Sequence, residues 1–320
     1  MKRMSIVVCV IILLTGVAIG SAMEEEKFVS SGSTENARNI WFVKAGESLK
    51  GVVEEADNND IIIVYPGVYH EGEIIIKKPL TIIGVGQDKP VIDVGDKERG
   101  VGIYIRNSNV TIDRLRIVNC HTGIKIDPSS PIKYITIRSC SITATNYAVK
   151  VEGKEYTKPP FIDFLVIHGC DLTGDIYAKN GDITQLTECR IEGDVSMEGT
   201  PMTAVVNNEI GGNLKVNTGD AKHPTGIYFI HFNTFEPTGK IEIDTSYLLG
   251  TFMESNEKLD TITINVNQQT YWPPFIYIPR EDYPRLPDIS WKNWYIFPFI
   301  AWGIPIYVKY PTLRLWEKLK

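Results

Sequence analysis

The 320-residue chain carries 33 basic and 39 acidic residues, a formal net charge of −6. An acidic balance without a basic stripe argues against a nucleic-acid partner. The length would allow two domains, but a repeat array grows by adding units and need not split.

The chain opens MKRMSIVVCVIILLTGVAIGSAMEEE: Lys2 and Arg3, an apolar run from Ile6 to Ile19, then Gly20, Ser21 and Ala22 before three glutamates. These are the parts of a secretory signal peptide over residues 1–22, which predicts a secreted or extracytoplasmic protein. The same apolar run would also serve as an uncleaved anchor. Cleavage after Ala22 lowers the basic count from 33 to 31 against 39 acidic residues, and it removes Cys9, leaving four cysteines. Residues 23–39 are polar and short of bulky apolar residues, a flexible leader.

From Ser48 to Asn58, the apolar residues Leu49, Val52, Val53 and Ala56 follow helical spacing, so a short capping helix is predicted there. Ile61 to Val64 begins the first strand. Pro66-Gly67 is a turn, because proline presets φ and glycine accepts positive φ. The stretch from Pro79 to Gly84 repeats strand and turn.

Further on, one figure recurs: an apolar anchor, two residues, then cysteine or asparagine. Ile117 leads to Cys120, Ile137 to Cys140, Ile167 to Cys170, Leu186 to Cys189, Val205 to Asn208 and Ile230 to Asn233. A second apolar pair follows in each unit, among them Ile124 and Ile126, Val149 and Val151, Val195 and Met197. Alternation places such a pair on one strand face and the residue between them on the other. Successive anchors lie 20, 30, 19, 19 and 25 residues apart, too close for a strand plus a crossover helix. The pattern predicts an all-β fold, a right-handed single-stranded parallel β-helix over residues 40–270, with stacked rungs of two or three short strands.

Equivalent corners of such a solenoid lie about 4.8 Å apart. Cys120, Cys140, Cys170, Cys189, Asn208 and Asn233 then form an inward structural ladder. Cysteine fills a small inward corner, and asparagine pairs its amide with the next rung. Parallel side chains are poorly placed for a right-angled S–S torsion, so free thiols are expected rather than disulfides.

The segment from Trp41 to Asp93 contains Ala45-Gly46, Val64-Tyr65-Pro66-Gly67-Val68-Tyr69, the Ile76-to-Gly84 stretch and Pro90-Val91-Ile92-Asp93. It resembles the first rungs of the pectin-lyase-like β-helix superfamily, especially the branch of NosD-like and uncharacterised surface proteins. With the later repeats the resemblance covers about residues 41–265 and implies the β-helix fold. The esterase strand D-F-x-F-G is absent, as are the N-T-D, D-D and G-H-G motifs of polygalacturonase-like hydrolases. Copper handling is not carried over, because the five histidines are scattered over different units.

Outward columns supply the candidate sites. The residue after each anchor runs Val118, Arg138, His168, Thr187, Val206 and His231, which makes Arg138 and His168 catalytic or anion-binding candidates, with no carboxylate in that column. A second column, containing Tyr104, Lys125, Lys150 and Tyr177, suits stacking and hydrogen bonding to sugars. A third, Asp175, Asp194 and Asn213, stacks oxygen atoms that suit calcium; no other cofactor is implied. These features predict a carbohydrate-binding or envelope-scaffold protein. The alternative is a lyase-like or epimerase-like enzyme acting on acidic polysaccharide.

Residues 271–320 form a proline- and aromatic-rich tail, in which the repeat pattern is expected to have ended. Its stretch from Trp294 to Val308 is uncharged and mostly apolar. It either caps the open end of the solenoid or associates with a membrane.

Overall fold

The structure is a computed structural model. It describes residues 38–154, 162–200, 202–217, 225–245, 247–254 and 256–266, with the short strands 275–277, 288–291 and 299–300. The expected signal peptide, nearly all of the expected leader and most of the expected tail lie outside the described residues.

Alternating apolar residues make the strands, and parallel register makes the solenoid. The first sheet has twelve strands among the described residues, and their order in space is their order in the chain. It runs from Ile40–Val43 through Ile61–Val64, Thr81–Gly84, Val110–Asp113, Ile132–Arg138, Ile162–His168 and Gly181–Thr187. It then continues through Met202–Val206, Thr225–His231 and Tyr247–Glu254 to Phe275–Tyr277 and Phe299–Ile300. Neighbours pair in parallel, with Ile82, Ile112, Ile137, Ile167, Leu186, Val205, Ile230 and Met253 in one inward column.

The second sheet has thirteen strands among the described residues, ten of them on its main path. Its longer strands, such as Arg116–Ile126 and Ser141–Glu152, bend midway and contribute two short segments per rung. One inward column runs Ile92, Ile117, Ile142, Leu172, Ile191, Ile210 and Phe235. Another runs Ile103, Ile124, Val149, Ile176, Val195, Leu214, Ile241 and Ile262. These columns form one continuous buried core. Each fully buried isoleucine contributes about 1.5–3 kcal/mol relative to an exposed one.

The chain turns between the two sheets through a residue at positive φ: Arg114, Ser139, Gly169, Glu188, Asn207 and Phe232 all lie between 52° and 60°. The next residue points inward, giving the column Leu115, Cys140, Cys170, Cys189, Asn208, Asn233 and Asn256. Equivalent backbone bonds establish it, such as Ser141 N to Leu115 O and Asp171 N to Cys140 O. This corrects the predicted ladder at both ends. Cys120 stands outside it, in register with Asp96 and Ala144 on the second sheet, and Leu115 takes its place. Asn256 extends the ladder by a rung.

Strand pairing also continues beyond Thr270. Phe275–Tyr277 joins Tyr247–Glu254, Asp288–Trp291 joins Glu257–Val266, and Phe299–Ile300 joins Phe275–Tyr277. The repeat therefore extends into the segment expected to be tail.

At the amino-terminal end, helix α1 (Leu49–Glu55) buries Leu49 and Val53, and Ala56 at its carboxyl end is buried with them in the core. It packs against the strand Ile74–Ile76 and covers apolar surface that the first rungs would otherwise expose. No helix among the described residues is long and apolar enough to cross a membrane.

Candidate functional site

The inward ladder is structural. Asn208 Nδ2 donates to Leu186 O and to Asn233 Oδ1, both at 2.9 Å, while its Oδ1 accepts from Cys189 N at 2.9 Å. Asn233 repeats the arrangement with Val205 O and Asn256 Oδ1. Asn256 Nδ2 closes on Ile230 O at 2.8 Å. Among the cysteines, sulfur replaces the amide: Cys140 N donates to Cys170 Sγ at 3.4 Å and Cys170 N to Cys189 Sγ at 3.5 Å.

Cys120, Cys140, Cys170 and Cys189 are all free and buried. Burial pushes the Cys120 thiol up to about 11. Hydrogen bonding with the Cys170 sulfur, and then burial, pushes Cys140 and Cys189 well above the ordinary thiol value. The same bonds favour charge on Cys170, against a burial that opposes it.

The outer face of the second sheet brings the tyrosines and lysines together. Tyr104, Lys125, Lys150 and Tyr177 occupy successive register positions. Tyr147 adds a ring 5.8 Å from that of Tyr177, and Lys150 Nζ lies 5.0 Å from the Tyr147 centroid. Arg106 and Lys125 approach the Tyr104 ring at 5.2 and 5.9 Å.

The lysines are not free charges. Glu152, two residues along from Lys150, takes Lys125 on one oxygen and Lys150 on the other, each at 2.8 Å. Against the cost of burial, these contacts raise the Lys125 ammonium and lower the Glu152 carboxyl from their ordinary values. Burial and the neighbouring Glu198 raise the Tyr177 phenol, whose hydroxyl donates to that carboxylate at 3.3 Å. The face is aromatic and tightly cross-braced, with opposite charges interleaved.

On the first sheet, Arg138 and His168 are neighbours in register. The rung below them carries Asp113 rather than Val118, so a carboxylate does join this column. Asp113 Oδ2 accepts from Arg138 Nε at 3.0 Å and Nη2 at 2.9 Å. With its guanidinium held this way, Arg138 is a positioned cation and a poor general base. His168 Nδ1 lies 3.0 Å from Thr187 Oγ1, and Nε2 lies 3.9 Å from a Glu188 oxygen. Val118 instead pairs with Asp93 on the second sheet.

In the third column, Asp175 Oδ1 accepts from Asp194 N at 2.9 Å, and Asp194 Oδ1 accepts from Asn213 N at 2.6 Å and Nδ2 at 3.2 Å. Asn213 Oδ1 in turn accepts from Lys240 N. Each side chain thus fastens the next rung's turn. A Cβ on Gly193 would sit 2.6 Å from Asp175 Oδ1, and one on Gly212 only 2.1 Å from Asp194 Oδ1. That close approach explains the repeated Gly-Asp and Gly-Asn pairs. No three His, Cys, Asp or Glu side chains converge as a metal site among the described residues.

Some features escaped the sequence reading. Tyr134 and Phe164 are exposed, sit at positive φ, and stack with centroids 5.2 Å apart and planes 18° apart. Their signal is a broken alternation, in which Ile132-Lys133-Tyr134-Ile135 and Ile162-Asp163-Phe164-Leu165 each set inward residues three apart.

No protein-family model matches the sequence, and no curated protein matches it. Among solved structures it is similar to pectate lyase Pel9A, with 12% identity and a TM-score of 0.36, covering 80% of this chain and 75% of that one. The register of the two sheets defines the molecule as an all-β parallel β-helix.

Proposed function

We propose that this β-helix is a non-catalytic, extracytoplasmic carbohydrate-binding protein whose contact surface is the tyrosine–lysine face of the second sheet. The observation that carries the reading is the in-register run of Tyr104, Lys125, Lys150 and Tyr177, with Tyr147 beside it. Aromatic rings offer flat apolar surface to sugar rings, while ammonium and carboxylate groups bond to hydroxyls and to acidic substituents. Glu152 fixes both lysines before any ligand arrives, which reduces the ordering cost of binding.

A glycan array carrying uronate oligosaccharides tests this reading, together with an absorbance assay for unsaturated products in the presence of calcium. Binding without turnover is expected, weakened about tenfold, or about 1.4 kcal/mol, by Tyr177→Ala. Turnover of any uronate polymer, or binding indifferent to Tyr177→Ala and Lys150→Ala together, overturns it.

A further inference from the structure

The amino-terminal half of the first sheet carries a groove of about 290 Å³ whose lining includes Arg38, Thr81, Asn109, Thr111, Tyr134 and Thr136. Thr81, Thr111 and Thr136 occupy one outward column on three successive rungs, so their hydroxyls repeat at about 4.8 Å. All three are half-buried. Among the described residues, none of these hydroxyls makes a hydrogen bond to the protein. They form a row of donors and acceptors directed at whatever occupies the groove.

Tyr134 forms the groove's aromatic wall, with Phe164 stacked against it on the next rung. Their φ angles are 61° and 54°. Such a φ is unfavourable for a bulky residue. Gly169 meets a similar φ of 60° at another corner without that cost. The rings regain little of it by burial, since Tyr134 is 49% and Phe164 43% exposed. The positive φ belongs to the fold, because Asn109 holds 55° at the same corner one rung earlier; what this corner adds is a pair of exposed rings beside unbonded hydroxyls.

The groove's own charge is sparse. Among the described residues, Arg38 is the one ionic side chain lining it. Lys133 lies over the Tyr134 ring at 5.1 Å, and Asp113 is closed upon Arg138.

We propose that this groove is a binding site for an uncharged saccharide chain, which stacks a sugar ring against Tyr134 and bonds its hydroxyls to Thr81, Thr111 and Thr136. It is separate from the tyrosine–lysine face and stands whether or not that face binds acidic glycans.

The test is isothermal titration calorimetry of the full chain with uncharged gluco-, manno-, xylo- and galacto-oligosaccharides. At least one series binds, with affinity little changed by added salt. Tyr134→Gly removes the ring and relieves the positive φ, so it lowers affinity about tenfold or more, with the melting temperature unchanged or raised. Thr111→Val, on the outer surface of the sheet, lowers affinity several-fold, whereas Tyr177→Ala leaves it unchanged. The proposal is overturned if no series binds, if salt abolishes binding, or if Tyr134→Gly retains affinity. It is also overturned if affinity depends on Tyr177 and not on Thr111.

Discussion

At the residue scale, a side chain in this molecule acts mainly through the rung beside it. Asn208 shows how much one such position carries, since its amide serves Cys189 N, Leu186 O and the Asn233 side chain at once. Leucine shares the branching at Cγ but is bulkier and makes none of these bonds. Asn208→Leu is therefore expected to cost about 1–3 kcal/mol, because buried backbone groups lose their partners. An unchanged thermal melting curve would remove Asn208 from any stabilising role. The ladder's middle was legible because a small inward residue recurs three places after each anchor. Its ends were not. Asn119 at φ 55° precedes Cys120 in the same local pattern, at a different corner. Asn256 was missed because Lys258, not an apolar residue, stands two places beyond it. The same slip of one face hid Asp113 and with it the partner of Arg138.

At the scale of elements, the capping helix shows a sequence signal completed by a distant residue. Leu49, Val52, Val53 and Ala56 announce the helix, but they do not reveal what holds its start. Ser48 Oγ accepts from Gly51 N at 3.0 Å and donates to Glu71 Oε2 at 2.9 Å. Glu71 also accepts from Leu49 N at 2.7 Å and Lys50 N at 3.2 Å. Two side chains thus satisfy three helix-start amides. Ser48→Ala should cost about 1 kcal/mol, within the usual range for losing an N-cap. Glu71→Gln should weaken the same helix start by exchanging a charged acceptor for a neutral one. Urea denaturation of the two single variants and the double variant measures this. Because the residues share one network, the double loss should fall short of the sum, and strict additivity would show that the two act apart. Strand existence was similarly plain from alternation. The aromatic corners were hidden, since a residue at positive φ belongs to neither phase of the alternating pattern.

At the scale of the whole molecule, rungs that stack only on their neighbours make stability a sum of local and interfacial contributions. A single buried titration can then set the acid limit of its region. His231 is buried in the first sheet, and burial lowers its imidazole from 6.5 to about 4. Phe229 and Phe232 lie against it, with ring centroids 6.4 and 6.1 Å away. The unfolded chain binds this proton first as the pH falls, so the stability that His231 contributes is complete above pH 6.5 and declines towards pH 4. The loss is on the order of 3 kcal/mol across that window. Asp60 behaves differently. Bonds from Trp41, Asn39 and Asp57 hold its carboxyl below 3.8 against burial, so its contribution is lost only at lower pH. Acid unfolding should therefore begin with His231 and involve Asp60 later. Melting temperatures at pH 7 and pH 4.5 provide the measurement: the wild-type chain should lose stability between them, and His231→Gln should lose clearly less. An equal drop in both proteins would show that His231 does not govern the onset.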